Sequence, residues 1–268
     1  MKAGAASLAA VAALACAGLS PAWAASCDKP VYLTFDTGHM GVAPLVADLA
    51  RRYDAKLTFF IAREPTLDGG NTLDEQWAPW WRARVAEGHD FGSHTWAHDS
   101  WLADLPDGRF RVRTAAGKER GTIRELSADE YCAELRKPAD WFKTTTGQAM
   151  APIFRAPGGR TSPALLAAAQ ACGFKHVGWS AAGFLGDELP SDRFPNDKLL
   201  AKALRDIRPG DILMAHLGIW SRVDAWAPAV LEPLMRGLKE RGYCFAPLRE
   251  HPAYAAAMRR GEQPAPAR

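Results

Sequence analysis

His94 and His98, in His94-Thr95-Trp96-Ala97-His98, are the residues whose type and spacing best suit a divalent cation. On a helical turn a four-residue spacing puts both imidazoles on one side, where they can share a metal. The pattern is not that of a zinc protease helix, since Thr95 stands where a glutamate would follow the first histidine. Alone, the pair could be two unrelated surface histidines. Three further residues change its weight. Asp36 is a carboxylate that can take a proton, His216 an imidazole that can give one, and Arg155 a guanidinium that can keep a carboxylate ionised and oriented. Each has a plainer alternative. Asp36 could cap the helix that Thr37-Gly38 introduces, Arg155 could form a structural ion pair, and His216 follows Ile212-Leu213-Met214 and could be a core histidine.

A parallel sheet would bring these positions together. Short apolar runs predict strands at Val31–Phe35, Lys56–Ala62, His89–Gly92, Ile153–Phe154, Phe174–Trp179, Asp211–Ala215 and Tyr243–Leu248. Helical spacing alternates with them: Ala43–Tyr53, Trp77–Glu87 stopped by Gly88, Asn196–Ile207, and Asp224–Arg241 stopped by Gly242. Ser127-Ala-Asp-Glu130 is a capping box opening a helix that Pro138 should kink, and Ser162-Pro163 is an N-cap followed by proline. Seven alternating units predict an α/β fold with a parallel sheet, closed as a barrel rather than open. The carboxyl ends of barrel strands open on one face, and Asp36, His94, His98, Arg155 and His216 all sit just past strand ends. Two connections are long. One runs from Arg63 to Gln76. The other, from Thr95 to Leu126, reads as a hairpin carrying Arg109, Arg111, Arg113, Lys118, Arg120 and Arg124, which either grips substrate or is simply a solvated hairpin.

The chain has 268 residues, and its Lys and Arg exceed Asp and Glu by only three, too weak a bias for nucleic acid or an anionic membrane as main partner. Residues 1–24 read as a signal peptide: Lys2, an apolar Leu8–Leu19, and Ala22-Trp23-Ala24 as cleavage site. Export to the periplasm or the exterior follows, with no membrane-spanning segment in the mature chain. Residues 25–255 form one domain, and 256–268 a disordered tail. Cleavage leaves Cys27, Cys132, Cys172 and Cys244, which permit three pairings. Cys27 precedes the first strand and Cys244 lies in the last, while Cys132 and Cys172 flank the fourth, so Cys27–Cys244 and Cys132–Cys172 are expected.

Thr34-Phe35-Asp36-Thr37-Gly38, His94-Thr95-Trp96-Ala97-His98, Arg155-Ala156-Pro157-Gly158 and Ile212-Leu213-Met214-Ala215-His216 resemble, in order, four motifs of the NodB-homology polysaccharide deacetylases, carbohydrate esterase family four. The similarity runs from about Val31 to Leu248. It implies a distorted (β/α)7 barrel and metal-dependent removal of N-acetyl groups from an envelope amino sugar in peptidoglycan or an N-acetylglucosamine polymer. It implies a divalent metal, usually Zn2+, on His94 and His98, with Asp36 as base, His216 as acid and Arg155 orienting Asp36. It places Trp179, Met214 and Gly158 in the substrate groove. The partner is then a glycan, and a monomer is expected. The sequence departs from the family at four places. Thr37 replaces an aspartate metal ligand, and either its hydroxyl or His39 is a candidate substitute. Gly158-Gly159 replaces an aromatic. The fourth motif is not recognisable, with Asp187 a candidate stand-in, and Met214 replaces a leucine. The competing reading is a non-catalytic glycan-binding member with a degenerate metal site.

Overall fold

In the strand β1 (Pro30–Asp36), every residue after Pro30 is buried, so both faces are covered, as in the middle of a parallel sheet. The computed structural model describes residues 27–117 and 120–261, and the expected signal peptide lies outside them, as does Lys118. After β1 come α1 (Ala43–Arg52), β2 (Thr58–Ile61), α2 (Ala78–Ala86) and β3 (Asp90–Ser93). Then follow β4 (Asp99–Asp104), β5 (Phe110–Thr114), β6 (Ile123–Leu126), α3 (Ala128–Thr146), β7 (Ile153–Phe154), α4 (Pro163–Ala171) and β8 (Lys175–His176). The chain continues through α5 (Asn196–Asp206), β9 (Ile212–His216), α6 (Trp226–Ala229), α7 (Leu231–Glu240), β10 (Cys244–Phe245) and α8 (Ala255–Gly261).

Seven strands make a parallel sheet in the order β10-β1-β2-β3-β7-β8, with β9 also paired to β1. This is the expected α/β arrangement of seven strands. The strands β8 and β9 do not pair with each other. The chain after β8 spans that gap, where Ser180 N–H donates to the Ile212 carbonyl at 3.0 Å and Met214 N–H to that of Gly183 at 2.8 Å. The barrel is therefore distorted, joined here by irregular backbone. Register matters for function: Asp36 lies opposite both Phe60 and His216, and Ser93 opposite Phe154, so the carboxyl ends of β1, β2, β9, β3 and β7 come level.

The helices follow their sequence signals. Val46, Leu49 and three alanines of α1 face the core, while Arg51 and Arg52 end the helix where its dipole favours cations. The Ser127 capping box is complete, and α3 runs through Pro138 to Thr146. Ser162 caps α4 by accepting from Leu165 N–H at 3.0 Å. The core around β1–β3 is aromatic, with Phe59 and Phe91 stacked at 5.8 Å and Trp81 edge-on to both.

Four expectations change. The long connection forms a three-stranded antiparallel sheet, β4-β5-β6, instead of a two-stranded hairpin. Its first strand, Asp-Ser-Trp-Leu-Ala-Asp, lacks clean alternation and was illegible as a strand. The helix expected over Asp224–Arg241 is interrupted: Ala227 has extended backbone, and regular helix begins at Leu231. The tail does not fray at residue 256, because α8 packs Ala257 and Met258 against Tyr32, Phe60 and Leu248. The His94–His98 segment is a bend and not a helical turn. Both expected disulfides, Cys27–Cys244 and Cys132–Cys172, are present.

The second bridge closes a loop with a sequence separation of 40 residues. Cys132→Ala with Cys172→Ala should lose about 2–4 kcal/mol of stability, since cross-links of this kind restrict the unfolded chain. Urea denaturation of the oxidised wild type and the double variant checks this, and coincident midpoints would show that the bridge contributes nothing in solution.

Candidate functional site

Arg155 follows β7 and its side chain is fully buried. One guanidinium nitrogen donates to Asp36 Oδ1 at 2.8 Å. The others donate to the carbonyls of Val177 at 3.2 Å and Gly178 at 3.1 Å, and the group lies 4.3 Å from the Phe60 ring centre. Each guanidinium nitrogen thus has an acceptor, Asp36 on β1 or a carbonyl just after β8. Burial pushes the Asp36 carboxyl up, but the charges of Arg155, His94 and His216 outweigh it, and its pKa lies below the ordinary value. Asp36 is not a helix cap, because α1 starts after Val42 without a side-chain cap.

The backbone of Arg155 does a second job. Its carbonyl accepts from His94 Nδ1 at 2.8 Å. A carbonyl can only accept, so Nδ1 carries the proton and Nε2 presents a lone pair, 3.6 Å from Asp36 Oδ2. Burial, followed by the proximity of His98, outweighs Asp36 and lowers the His94 pKa to about 4, so the ring is neutral at neutral pH.

His94–His98 is a bend in which Thr95 and His98 adopt left-handed backbone, with φ of 59° and 52°. Such conformations are costly for residues with a Cβ and gather at functional sites. The bend is held from outside: Thr95 Oγ1 accepts from Asp99 N–H at 2.9 Å, and the Ala97 carbonyl accepts from Ala115 and Ala116 after β5. The helical expectation is corrected, yet the two rings still meet, with centres 4.8 Å apart.

His216 ends β9. Its Nδ1–H donates to both oxygens of Asp187, at 3.1 and 3.2 Å, and its backbone N–H donates to Oδ2 at 2.7 Å. Asp187 therefore occupies the orienting place for which the sequence offered it as a stand-in. Glu188 Oε2 lies 3.9 Å from His216 Nε2, a neighbour that sequence reading missed and that only its adjacency to Asp187 could have signalled. Burial disfavours the imidazolium, but Asp187, then Asp36 and Glu188, outweigh it and raise the pKa to about 10. His216 is thus the protonated member of the site and Asp36 the ionised one. A cavity of about 130 Å³ opens beside His216, bordered also by His39, Gly218 and Trp226.

The remaining candidates fall less uniformly. The Thr37 hydroxyl accepts from Ala62 N–H at 3.0 Å, so its recorded partner is backbone rather than an imidazole. His39 accepts from Gly41 N–H at 3.0 Å and lies edge-on to Trp220, at the His216 side of the site. Gly38 is required here, since a Cβ would collide with the Gly218 carbonyl. Trp179 lies 5.6 Å from the Arg155 guanidinium and fills the space that Gly159 leaves by having no side chain. Gly158, by contrast, faces Arg160 and Ser100, and Met214 is 2 % exposed and closed to solvent. Neither is thereby brought to an open groove.

The imidazole pair suits a divalent cation on its chemistry. His94 is neutral with a free lone pair, and His98 Nδ1 is buried without a hydrogen-bond partner. Lone pairs on His94 Nε2 and Asp36 Oδ2 also face each other, an arrangement that a positive charge relieves. Among the described residues, no three His, Cys, Asp or Glu side chains converge on one point as they stand.

A family model described as polysaccharide deacetylase matches residues 24–177, more than half of the chain. The chain is 26% identical over 233 residues to a chitooligosaccharide deacetylase of Azorhizobium caulinodans, covering 81% of this chain and 92% of that protein. It is 25% identical over 232 residues to a peptidoglycan-N-acetylglucosamine deacetylase of Bacillus cereus, covering 83% and 88%. In fold it is similar to a family 4 acetyl xylan esterase from Clostridium thermocellum in complex with a cobalt ion, with TM-score 0.62, 23% identity, and 85% and 91% of the two chains covered. It is also similar to a family pseudoenzyme from Bacillus anthracis, with TM-score 0.58, 20% identity, and 83% and 65% covered.

Asp187 holds the charge on His216, so Asp187→Asn should drop the His216 titration midpoint from about 10 toward or below the ordinary histidine range, where burial then dominates. Histidine ring signals followed by NMR across pH measure this directly. A midpoint that stays near 10 would mean that another group holds the proton.

Proposed function

The chain belongs to the polysaccharide deacetylase family, and we propose that it hydrolyses the N-acetyl group of an amino sugar in a cell-envelope polymer, peptidoglycan or poly-N-acetylglucosamine, releasing acetate and a free amine. The observation that carries this reading is the opposed pair Asp36 and His216, level on adjacent strands, one held ionised and the other held protonated. Environments that push two titratable groups apart in this way equip a site for base and acid steps at one pH. Binding alone requires no such pair.

His94 and His98 would hold the divalent cation, zinc on the family resemblance, whose chemistry when bound is to polarise the acetamide carbonyl and acidify water. Asp36 takes a proton from the attacking water, and Arg155 keeps that carboxylate ionised and aimed. His216 gives its proton to the sugar nitrogen as the carbon–nitrogen bond breaks, and Asp187 steadies the imidazole throughout. The names of the relatives support an N-acetylglucosamine polymer as substrate class. A signal peptide over residues 1–24 would put the enzyme where such polymers are, in the periplasm or outside the cell. Thr37, where the family has a carboxylate, favours the second reading, a glycan-binding member without turnover.

Acetate release from peptidoglycan, chitin oligomers and poly-N-acetylglucosamine, with and without chelator, separates the two. Turnover that chelator abolishes is expected, and glycan binding without acetate release would establish the second reading. Asp36→Asn and His216→Ala should each fold and lose roughly 10²-fold or more in turnover, the usual worth of a positioned acid or base. The pH profile has a worked sign. A base with a lowered pKa stays active as pH falls through the ordinary carboxylate range, and an acid near 10 is lost only as pH rises through that value. A plateau through neutrality with an alkaline limb near pH 10 is therefore expected, and an alkaline limb near 7 would show that the acidic neighbours of His216 do not hold it protonated.

A further inference from the structure

Among the described residues, five large apolar side chains stand exposed: Leu67, Ile123, Phe194, Trp220 and Val223. Four of them sit on connections that follow the carboxyl ends of parallel strands, Leu67 after β2, Phe194 after β8, and Trp220 and Val223 after β9. That is the face on which Asp36 and His216 lie. Single apolar residues scattered over a surface need no explanation, but their gathering at the site end of a barrel does. Trp220 is the largest of them, 58 % exposed and four residues past His216.

The backbone that carries Trp220 is tied down. The Arg222 side chain donates to the carbonyls of Asp224 at 2.7 Å, Leu189 at 2.6 Å and Phe194 at 2.9 Å, and to the Asn196 side-chain oxygen at 2.7 Å. Ser221 Oγ donates to the Glu188 carbonyl at 3.2 Å, and Asp224 N–H to Ser191 Oγ at 3.3 Å. The loop after β9 is thereby fastened to the segment that follows Asp187. Beside the indole lies His39, edge-on with 5.1 Å between ring centres. His39 is itself placed from three sides. Its N–H donates to the Gly218 carbonyl at 3.1 Å, its carbonyl accepts from Leu67 N–H at 3.0 Å, and its ring occupies the space that a side chain at Gly218 would take. His39 and Arg222 border the same cavity as His216 and Asp187. An indole is therefore held out to water at the rim of the cavity beside His216. Leaving that area in water forgoes the gain of burying it, and the loop is too well tied for the exposure to be slack chain.

We propose that Trp220 is a stacking platform for the sugar ring next to the one that is deacetylated, so that the enzyme selects a chain of joined amino sugars over a single one. The proposal rests on the deacetylase reading above and names the form of its substrate. A pyranose with equatorial substituents has two faces lined by C–H groups. Those faces match the flat, electron-rich face of an indole, while the rim of hydroxyls stays in water. In a polymer the rings on either side of the reacting sugar extend across the rim of the site, and Trp220 stands on its His216 side. The contact lies one ring away from the bond that breaks. It is therefore made equally in the ground state and the transition state, and acts on binding rather than on the chemical step.

The test compares wild type with Trp220→Ala, Trp220→Phe and Ile123→Ala, the last a control for apolar surface lost elsewhere. Acetate release is measured on N-acetylglucosamine, on tetra-N-acetylchitotetraose and on a peptide-free peptidoglycan tetrasaccharide. For the tetrasaccharide that wild type deacetylates, Trp220→Ala should raise KM about tenfold and leave kcat within about twofold, the pattern of a contact made equally in both states. On the single sugar it should change nothing. Trp220→Phe should restore most of the loss, and Ile123→Ala should match wild type. An unchanged KM in Trp220→Ala, or an equal loss on the single sugar, would overturn the proposal and leave the deacetylase reading intact. If wild type releases no acetate from any of the three, that reading falls, and calorimetric binding of the two tetrasaccharides decides the platform by itself. A loss of about tenfold in Trp220→Ala upholds it, while equal affinities, or no binding by wild type, sink it. Circular dichroism checks the folding of the variants.

Discussion

The ion pair between Arg155 and Asp36 is the interaction from which the rest of the site takes its geometry. Both side chains are removed from water, and isolated charges there would each cost several kcal/mol. The guanidinium meets that cost by giving each of its three nitrogens an acceptor, with a carboxylate, two carbonyls and a ring face around it. These partners come from β1, from the segment after β8 and from β2, so the strand ends must be level for the pair to exist. Because the Arg155 carbonyl also fixes the His94 tautomer, one residue sets both the orientation of the carboxylate and the nitrogen that His94 presents. Removing the guanidinium would leave Asp36 buried and uncompensated, the kind of loss worth about 3–5 kcal/mol.

The two histidines flanking Asp36 show how environment, not residue type, assigns a role. His94 is buried and His216 mostly so, and loss of water disfavours charge in each. His94 has a carbonyl at one nitrogen and another imidazole nearby, and titrates near 4. His216 has a carboxylate at Nδ1, two more acidic groups close by, and titrates near 10. The neutral ring is fit to donate a lone pair, and the charged ring to donate a proton. Asp187 makes this difference, gripping His216 through both its ring and its backbone.

Departures from the family pattern are offset by neighbours. Where an aromatic would follow Arg-x-Pro, Gly159 leaves a space that Trp179 fills, so an indole still covers the buried guanidinium. Thr37 trades a carboxylate for a hydroxyl that accepts from Ala62 N–H and braces the chain leaving β2. The strained bend bearing the imidazole pair is stiffened by the β4-β5-β6 sheet, through Asp99 and the Ala115–Ala116 amides. The insertion thus supports the site from its far side. Its arginines are partly neutralised by Asp107, Glu125 and Glu134.

The sequence alone determined the elements whose signals are local: apolar runs for the parallel strands, the Ser127 and Ser162 caps, and the placing of Asp36, Arg155 and His216 at strand ends. The seven-stranded parallel sheet and both disulfides agree with that reading, because a right-handed alternation of strand and helix leaves few ways to arrange seven units. What depends on contacts between distant residues was not legible. Spacing suggested a helix for His94–His98, but the hold of the neighbouring sheet bends it instead. No pattern marked Asp187, a candidate stand-in for the fourth motif, as the partner of His216. Burial and charge pairing are properties of the assembled environment, so the same histidine or carboxylate acquires its protonation state only once tertiary structure decides which groups surround it.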